Sequence, residues 1–145
     1  MAFSIEFIDD GRGVMQIGNG IVTGQELIDT AKFILEKMQQ GAPVSYDLID
    51  LSNVDQFSAS CDDIRGIARI NTAMAQIVGR IGVAFVAPSD IAYGMARMWQ
   101  VYVQATGWDT YVFRNHTEAE AWLATQHTVA LQTPVAVSRQ ALGAP

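Results

Sequence analysis

The spacing of apolar residues along this chain switches between the alternation typical of strands and the three-to-four-residue repeat typical of helices. Phe3, Ile5 and Phe7 occupy every second position, which predicts a first strand. The apolar run over 14–17 predicts a second. The turn-forming residues 9–13 lie between these two runs. The chain is therefore predicted to begin with a β-hairpin.

Helices and strands then alternate to the end of the regular pattern. Thr23 and Glu26 have the spacing of a capping box, at the start of a helix that Gly41 ends. Ser60 is placed to cap a second helix, which ends before Gly79. The remaining predicted elements are strands over 44–51, 81–87 and 111–113, a long helix from Ser89 to Thr106, and a short helix from Thr117 through Leu123.

This order, β-β-α-β-α-β-α-β-α, predicts an α/β fold. Strands that alternate with helices imply right-handed crossovers, so we expect one domain over residues 1–126 with a mixed, mostly parallel sheet behind the hairpin. The segment 127–145 differs in composition, since Arg139 is its one formal charge. We predict a C-terminal tail there that is either flexible or in contact with a partner. The shared parity of Val129, Leu131, Val135 and Val137 leaves an edge strand or a partner-contacting arm open as further interpretations, and Pro134 would confine such a strand to a sheet edge.

The helix from Ser89 to Thr106 is apolar on nearly every side, whereas a surface helix normally keeps a polar half. It is either a central helix enclosed by its own domain or a helix with a second neighbour. Tyr, Trp and Met are enriched in subunit contacts and apolar ligand pockets, which favours the second interpretation. The interaction or ligand surface is predicted to comprise Ser89, Tyr93, Met95, Arg97, Met98, Trp99 and Tyr102.

Arg97 interrupts this apolar surface. An ion pair with Asp90 is the favoured interpretation of its charge. The alternative partners of the Arg97 guanidinium are a carboxylate of a second subunit in a dimer and the anionic head group of a ligand.

Composition and charge exclude several classes of function. Nine basic residues against fifteen acidic ones give a net charge of −6, so no nucleic acid is expected as a partner. No apolar stretch is long enough to span a membrane and no signal-peptide core follows the first residue, so a cytoplasmic protein that does not span a membrane is expected. The single cysteine, Cys61, fits a reducing compartment.

The sequence contains no recognisable motif of an enzyme active site or of a metal site. The two histidines, His116 and His127, have no nucleophile in a recognisable motif, and one cysteine with two histidines makes no zinc pattern. The turn at 18–20 lacks the lysine of a phosphate-binding loop. We therefore predict no catalytic residue, no metal and no cofactor.

Four acidic side chains lie at or near predicted strand ends: Asp9, Asp10, Asp47 and Asp50. They could gather as a magnesium pocket. Solvated turn carboxylates are the favoured interpretation.

Three segments of the sequence carry recognisable patterns, and the second and third are the more specific. They are Asp50-Leu-Ser-Asn-Val54 leading into the Ser60 helix, Val83-Ala-Phe-Val-Ala-Pro-Ser-Asp90 continuing through Gly94-Met-Ala-Arg97-Met, and Tyr111-Val-Phe-Arg114 followed by Glu118-Ala-Glu-Ala-Trp-Leu123. Together with the order of helices and strands, these three segments resemble the SpoIIAA-like family over residues 1 to about 124. The fold of that family belongs to the STAS group of anti-sigma-factor antagonists and is related to CRAL–TRIO lipid-transfer domains.

The resemblance implies a non-catalytic STAS-like regulatory or protein-interaction domain, with a homodimer or another protein as the expected assembly. Kinship with lipid-transfer domains implies an alternative, a carrier of a small apolar or lipid-like ligand. In that case Met95, Trp99 and Tyr102 would line a cavity and Arg97 would meet the head group. STAS regulators carry a phosphorylatable serine in an Asp-Ser-x-Gly context, which the stretch 54–63 lacks, so Ser60 is predicted to be a plain helix cap.

Overall fold

Five strands and four helices alternate along residues 2–131, the part of the chain that this computed structural model describes, with side chains described through residue 125. They are β1 (Phe3–Ile8), β2 (Gly13–Thr23), α1 (Gly24–Gln39), β3 (Tyr46–Ser58), α2 (Cys61–Val78), β4 (Gly82–Val86), α3 (Asp90–Tyr102), β5 (Asp109–Phe113) and α4 (His116–Leu131). The predicted order of elements is confirmed. None of the helices in this described part is long and apolar enough to cross a membrane.

The strands form one sheet in the order β1-β2-β3-β4-β5. β1 pairs with β2 antiparallel, as the predicted hairpin requires, and the other neighbours are parallel. Each crossover from β2 onward moves the chain one strand in the same direction. Right-handed crossovers of this kind place their helices on one face of the sheet, which is where α1, α2 and α3 lie.

The core has two parts, one on each face of the sheet. The larger part joins α1, α2 and α3 to the sheet through side chains such as Ile34, Ile64 and Trp99. The smaller part joins Ala119 and Leu123 of α4 to the opposite face. Because side chains alternate along a strand, neighbouring residues of β3 contribute to different halves of the core.

β2 and β3 are longer than their apolar runs predict. Their parallel pairing continues to Thr23 and Ser58 with register shifts after Ile17 and after Gly20. The prediction of an isolated turn at 18–20 is therefore wrong, since these residues lie within β2. Gly20 has φ of +67°, a conformation that glycine adopts without steric cost, so the strand can bulge there and continue.

The helix starts follow the predicted caps. The Thr23 and Ser60 hydroxyls each accept a hydrogen bond from the backbone amide of the third residue of their helix, and the carboxylates of those residues, Glu26 and Asp63, accept one from the amide of the cap residue. Ser89 accepts from the amide of Ala92. These bonds satisfy backbone donors that have no partner within the first helical turn.

The ends of the last two helices differ from the prediction. α3 ends at Tyr102, and a short 3-10 turn at Gln104–Thr106 leads to Gly107, whose left-handed φ of +76° ends the helical path. α4 continues beyond the predicted end at Leu123 to Leu131, so it includes the first five residues of the predicted tail. An edge strand that includes Val129 and Leu131 is therefore wrong, because both residues lie in this helix. Residues 132–145, with the rest of the tail prediction, lie outside the described residues.

Candidate functional site

Helix α3 has a buried side and an exposed side, which together carry the residues of the predicted surface. Ala92, Ala96 and Trp99 are buried against the sheet. Trp99 is only 3% exposed, its indole nitrogen donates to Oδ1 of Asn71 at 2.7 Å, and its ring meets Phe85 edge-to-face. This side of the helix belongs to the core.

The exposed side has a narrow apolar stripe, which we name the α3 face: Ile91, Gly94, Met98 and Val101. Their spacing of three, four and three residues places them on one side of the helix. Ile91 is 65% and Val101 61% exposed, and Met98 is half-buried. A Cβ added to Gly94 would meet no atom within 4 Å, so the surface is notched between two large apolar side chains.

The predicted surface residues fall into three groups around this helix. Met98 lies on the α3 face, with Arg97 exposed beside it. Met95 and Trp99 line an internal cavity. Of the remaining predicted residues, Ser89 caps the helix, and Tyr93 and Tyr102 lie within it and are half-buried.

Charges near the start of α3 are arranged differently from the prediction. Asp90 pairs with Nη1 of Arg114 at 3.0 Å, so the predicted pair between Asp90 and Arg97 is wrong for the described structure. The same Arg114 nitrogen donates to the carbonyl of Pro88, and its guanidinium lies 4.0 Å from the centre of the Tyr93 ring. No local sequence pattern predicts this pair, because Arg114 follows β5 and reaches α3 only through the fold.

An internal cavity of about 50 Å³ lies between the sheet and the helices α1, α2 and α3. Its wall is apolar except for three side chains, Gln16, Asp47 and Asn71. Nε2 of Gln16 lies 2.8 Å from each carboxylate oxygen of Asp47. Burial raises the pKa of Asp47 to about 7, and the Gln16 hydrogen bond opposes this shift only in part.

The four acidic residues predicted at strand ends do not gather. Asp47 lines the cavity on one face of the sheet, so its interpretation as a solvated turn carboxylate is wrong. Asp50 lies on the other face beside α4, and Asp9 pairs with Arg12 in the hairpin turn. Among the described residues, no group of three or more acidic, histidine or cysteine side chains is placed to hold a metal ion.

His116, the first residue of α4, lies between two carboxylates. Its Nδ1 is 2.8 Å from Oδ2 of Asp50, and its Nε2 is 3.1 Å from Oε2 of Glu120. A neutral imidazole has one N–H and can donate to one of them, whereas an imidazolium can donate to both. The group ties the start of α4 to β3.

No protein-family model matches the sequence, and no curated protein matches it. Two solved structures share its architecture. The anti-sigma factor antagonist SpoIIAA in its unphosphorylated form superposes with a TM-score of 0.57 at 16% identity, over 86% of this chain and 98% of that chain. The chain has a SpoIIAA-like fold. A DUF3478-family protein from Shewanella loihica PV-4, described as having a SpoIIAA-like fold, matches with a TM-score of 0.51 at 18% identity, over 84% of this chain and 92% of that chain.

On this SpoIIAA-like fold, the hydroxyl of Ser60 accepts a hydrogen bond from the backbone of Asp63 at 3.1 Å. The Asp63 carboxylate in turn accepts from the Ser60 amide. Both interactions are those of a helix cap, as predicted for Ser60. A phosphate on this hydroxyl would stand beside the acidic Asp62 and Asp63 of the first turn.

Within the described side chains of the SpoIIAA-like fold, no nucleophile is hydrogen-bonded to a base. Cys61 is exposed at the start of α2. His116 is bonded to Asp50 and Glu120, on the side of the sheet that α4 covers. The triad geometry of nucleophilic catalysis is not assembled from these residues.

Proposed function

We propose that this chain is a non-catalytic STAS-like regulatory domain that acts by protein binding, with the α3 face as its contact and a second copy of the chain as its partner. The observation that carries the proposal is the exposure of Ile91 and Val101 on one side of a helix whose other side is already buried. Large apolar side chains exposed on one patch are typical of protein contact sites.

A second copy is favoured because the α3 face is complementary to itself. A two-fold contact requires that residue i meets residue j while j meets i. Two α3 helices could pack in antiparallel orientation with the two-fold axis at Ala96. In that register, Ile91 meets the partner's Val101. In the same arrangement Met98 meets the partner's Gly94, so that a flexible apolar side chain enters an open notch.

The charges allow this approach despite the net charge of −6 on each chain. The four residues of the α3 face are uncharged. Asp90 at its edge is paired with Arg114 of its own chain. Repulsion between two chains is therefore spread over the surface and screened by salt beyond about 10 Å.

We expect a weak dimer, because one helix face on each side is a small interface. Contacts at the low end of the size range, below about 1,200 Å², are typical of transient assemblies. The dimer should therefore dissociate on dilution.

The test is sedimentation velocity over a concentration series from low to high micromolar. The wild type should shift from monomer towards dimer, and Val101→Asp should weaken dimerisation by about tenfold or more because it places an unpaired charge in the contact. Ile21→Asp is the matched control, since Ile21 is 59% exposed but lies on β2. A wild type that stays monomeric throughout, or a Val101→Asp variant that dimerises normally, contradicts the proposal.

The carrier alternative finds less support at the predicted lining residues. Met95 and Trp99 face a cavity of about 50 Å³. Ligand pockets usually have volumes of about 300–1,000 Å³. Arg97 is exposed rather than directed into that cavity's lining.

A further inference from the structure

A polar cluster borders the internal cavity between the sheet and the helices α1, α2 and α3. Asp47 lies on β3, the middle strand of the sheet, where Ile49 and Leu51 on the same face are apolar. Gln16 and Asn71 also line the cavity and are 6% and 7% exposed. Folding gains nothing from a carboxylate in this apolar layer, since ionising it there costs free energy. A ligand that meets the carboxylate would give this position a function.

Most hydrogen-bond donors around the cavity are already bonded within the protein. Nε2 of Gln16 donates to both carboxylate oxygens of Asp47 at 2.8 Å. The indole nitrogens of Trp99 and Trp108 donate to the Asn71 side chain and to a backbone carbonyl. A carboxylate can accept about four hydrogen bonds, so the Asp47 oxygens can accept more than Gln16 supplies. The unused capacity suits a ligand that donates hydrogen bonds.

The charge and the aromatic rings of the cavity favour a cation. Among the described residues that line the cavity, Asp47 is the one charged or titratable side chain, so no basic side chain neutralises it there. The aromatic side chains of the lining are Phe57, Phe85, Trp99 and Trp108. The faces of such rings attract cations, and the apolar wall suits methyl and methylene groups. An alkylammonium ion combines N–H donors, a positive charge and a small apolar body.

The volume of the cavity limits the ligand to a few heavy atoms. The cavity has about 50 Å³, whereas one buried water molecule needs about 10–15 Å³ of such space. There is room for about three to five non-hydrogen atoms. Methylammonium and ethylammonium meet this limit, and a lipid chain does not.

We propose that this cavity binds a small primary alkylammonium ion, with its nitrogen at the Asp47 carboxylate and its alkyl group against the apolar wall. The bound ion neutralises a carboxylate that otherwise destabilises the fold, so binding should stabilise the folded chain. The site lies on the buried side of α3 and needs no second chain. It is therefore independent of the proposed dimer, and either can fail without the other.

Titration of the full-length chain with methylammonium, followed by NMR of its isotope-labelled methyl group, tests the site. The wild type should bind at millimolar concentrations at pH 8, because so small a ligand makes few contacts. Asp47→Asn should weaken binding by about tenfold or more. Asp55→Asn is the matched control, since Asp55 is exposed on the same strand, and it should bind as the wild type does.

Two outcomes of this titration would overturn the proposal. A wild type that does not bind methylammonium would leave the cavity to water. Equal binding by the wild type and by Asp47→Asn would mean that the cation is attracted only by the acidic surface of a chain with a net charge of −6.

The release of a proton distinguishes this site from surface binding. Burial raises the pKa of Asp47 to about 7, so at pH 6 the carboxyl group is mostly protonated and must lose its proton to the solvent when the ion binds. The affinity should therefore rise about tenfold from pH 6 to pH 8. Calorimetry at pH 6 in buffers of different ionisation enthalpy should detect the released proton. A flat pH profile without proton release would overturn the assignment to Asp47.

Two control ligands test the contact without any variant, so the test does not depend on how Asp47→Asn folds. Tetramethylammonium has the charge but no N–H group, and acetate is small but has the opposite charge. Neither should bind measurably in the cavity. If tetramethylammonium or acetate binds as tightly as methylammonium, the hydrogen bond to Asp47 is not what selects the ligand and the proposal is wrong.

Discussion

Asp47 is an acidic residue in a place that suits an apolar one. It stands on the floor of the cavity between the sheet and three helices, with Gln16 as its hydrogen-bond partner. Burial raises its pKa from 3.8 to about 7, because the charged form is poorly solvated there. Asp47 as a whole residue is half-buried, but it lines the cavity, so its ionisation there costs stability at neutral pH.

The sign of its pH dependence follows from proton binding. Between pH 3.8 and about 7, the folded chain holds the Asp47 proton and the unfolded chain has lost it. The free energy of unfolding therefore decreases as pH rises through this window and levels off above pH 7. The penalty that corresponds to this rise in pKa is on the order of 4 kcal/mol.

Asp47→Asn should remove this penalty while keeping the size and polarity of the side chain. We expect the variant to be more stable than the wild type at pH 8 and to differ little from it at pH 4, as measured by urea unfolding across that range. Asp55→Asn is the control, since Asp55 lies exposed on the same strand. A variant that is destabilised at pH 8 would show that the carboxylate has a stabilising partner.

Among the secondary-structure elements, helix α3 has a stabilising cap at its start and a destabilising residue in its interior. Ser89 caps it, but Gly94 lies exposed in its middle. A glycine there costs helix stability relative to alanine, because it loses more backbone freedom on folding. The notch at Gly94 is the feature that the proposed dimer uses.

Gly94→Ala should therefore have opposite effects on the monomer and on the dimer. The free energy of unfolding should increase by about 0.5–1 kcal/mol at low protein concentration, since the new Cβ meets no atom within 4 Å. Dimerisation should weaken, because the methyl group fills the place of the partner's Met98. Urea unfolding and sedimentation velocity measure the two effects.

Gly66→Ala is the matched control for this pair of effects. It lies within α2, and a Cβ there would meet Arg69 and Ile28 at an ordinary 3.7 Å. It should stabilise the monomer and leave dimerisation unchanged. If Gly94→Ala dimerises as the wild type does, the antiparallel register level with Ala96 is wrong.

At the scale of the whole molecule, α4 is the one described helix on its face of the sheet. Ala119 and Leu123 attach it through apolar contacts. The His116 imidazole makes two further polar contacts, with the carboxylates of Asp50 in β3 and of Glu120 in α4 itself. The Asp50 tie joins residues that are far apart in sequence, so it depends on the assembled sheet.

His116→Ala should lower the free energy of unfolding by about 1 kcal/mol, because it breaks these ties and leaves Asp50 without the imidazole. Equilibrium urea unfolding measures the change, and hydrogen exchange should locate it at the start of α4. Arg80→Ala is the control, since its pair with Asp109 is exposed at the surface. An equal loss in both variants would mean that His116 contributes no more than a surface ion pair.

The order of elements and the helix starts were predictable because their signals are local. A capping box such as that of Thr23 and Glu26 needs only residues three apart, and alternation in β1 needs only its own side chains. The lengths of β2 and β3 were not predictable from apolar runs. Their ladder of backbone hydrogen bonds extends as far as the two strands stay paired, whatever side chains they carry.

The sequence by itself determined that α3 is more apolar than a surface helix normally is, and that strands and helices alternate in this order. Only the tertiary structure decided that Trp99 faces the core, that Ile91 and Val101 face outward, and that Asp47 lines a cavity. The physical reason is that a residue's burial and ion pairs depend on which distant segments pack against it. The bond from His116 to Asp50 joins residues 66 apart, and no local pattern at either residue specifies it.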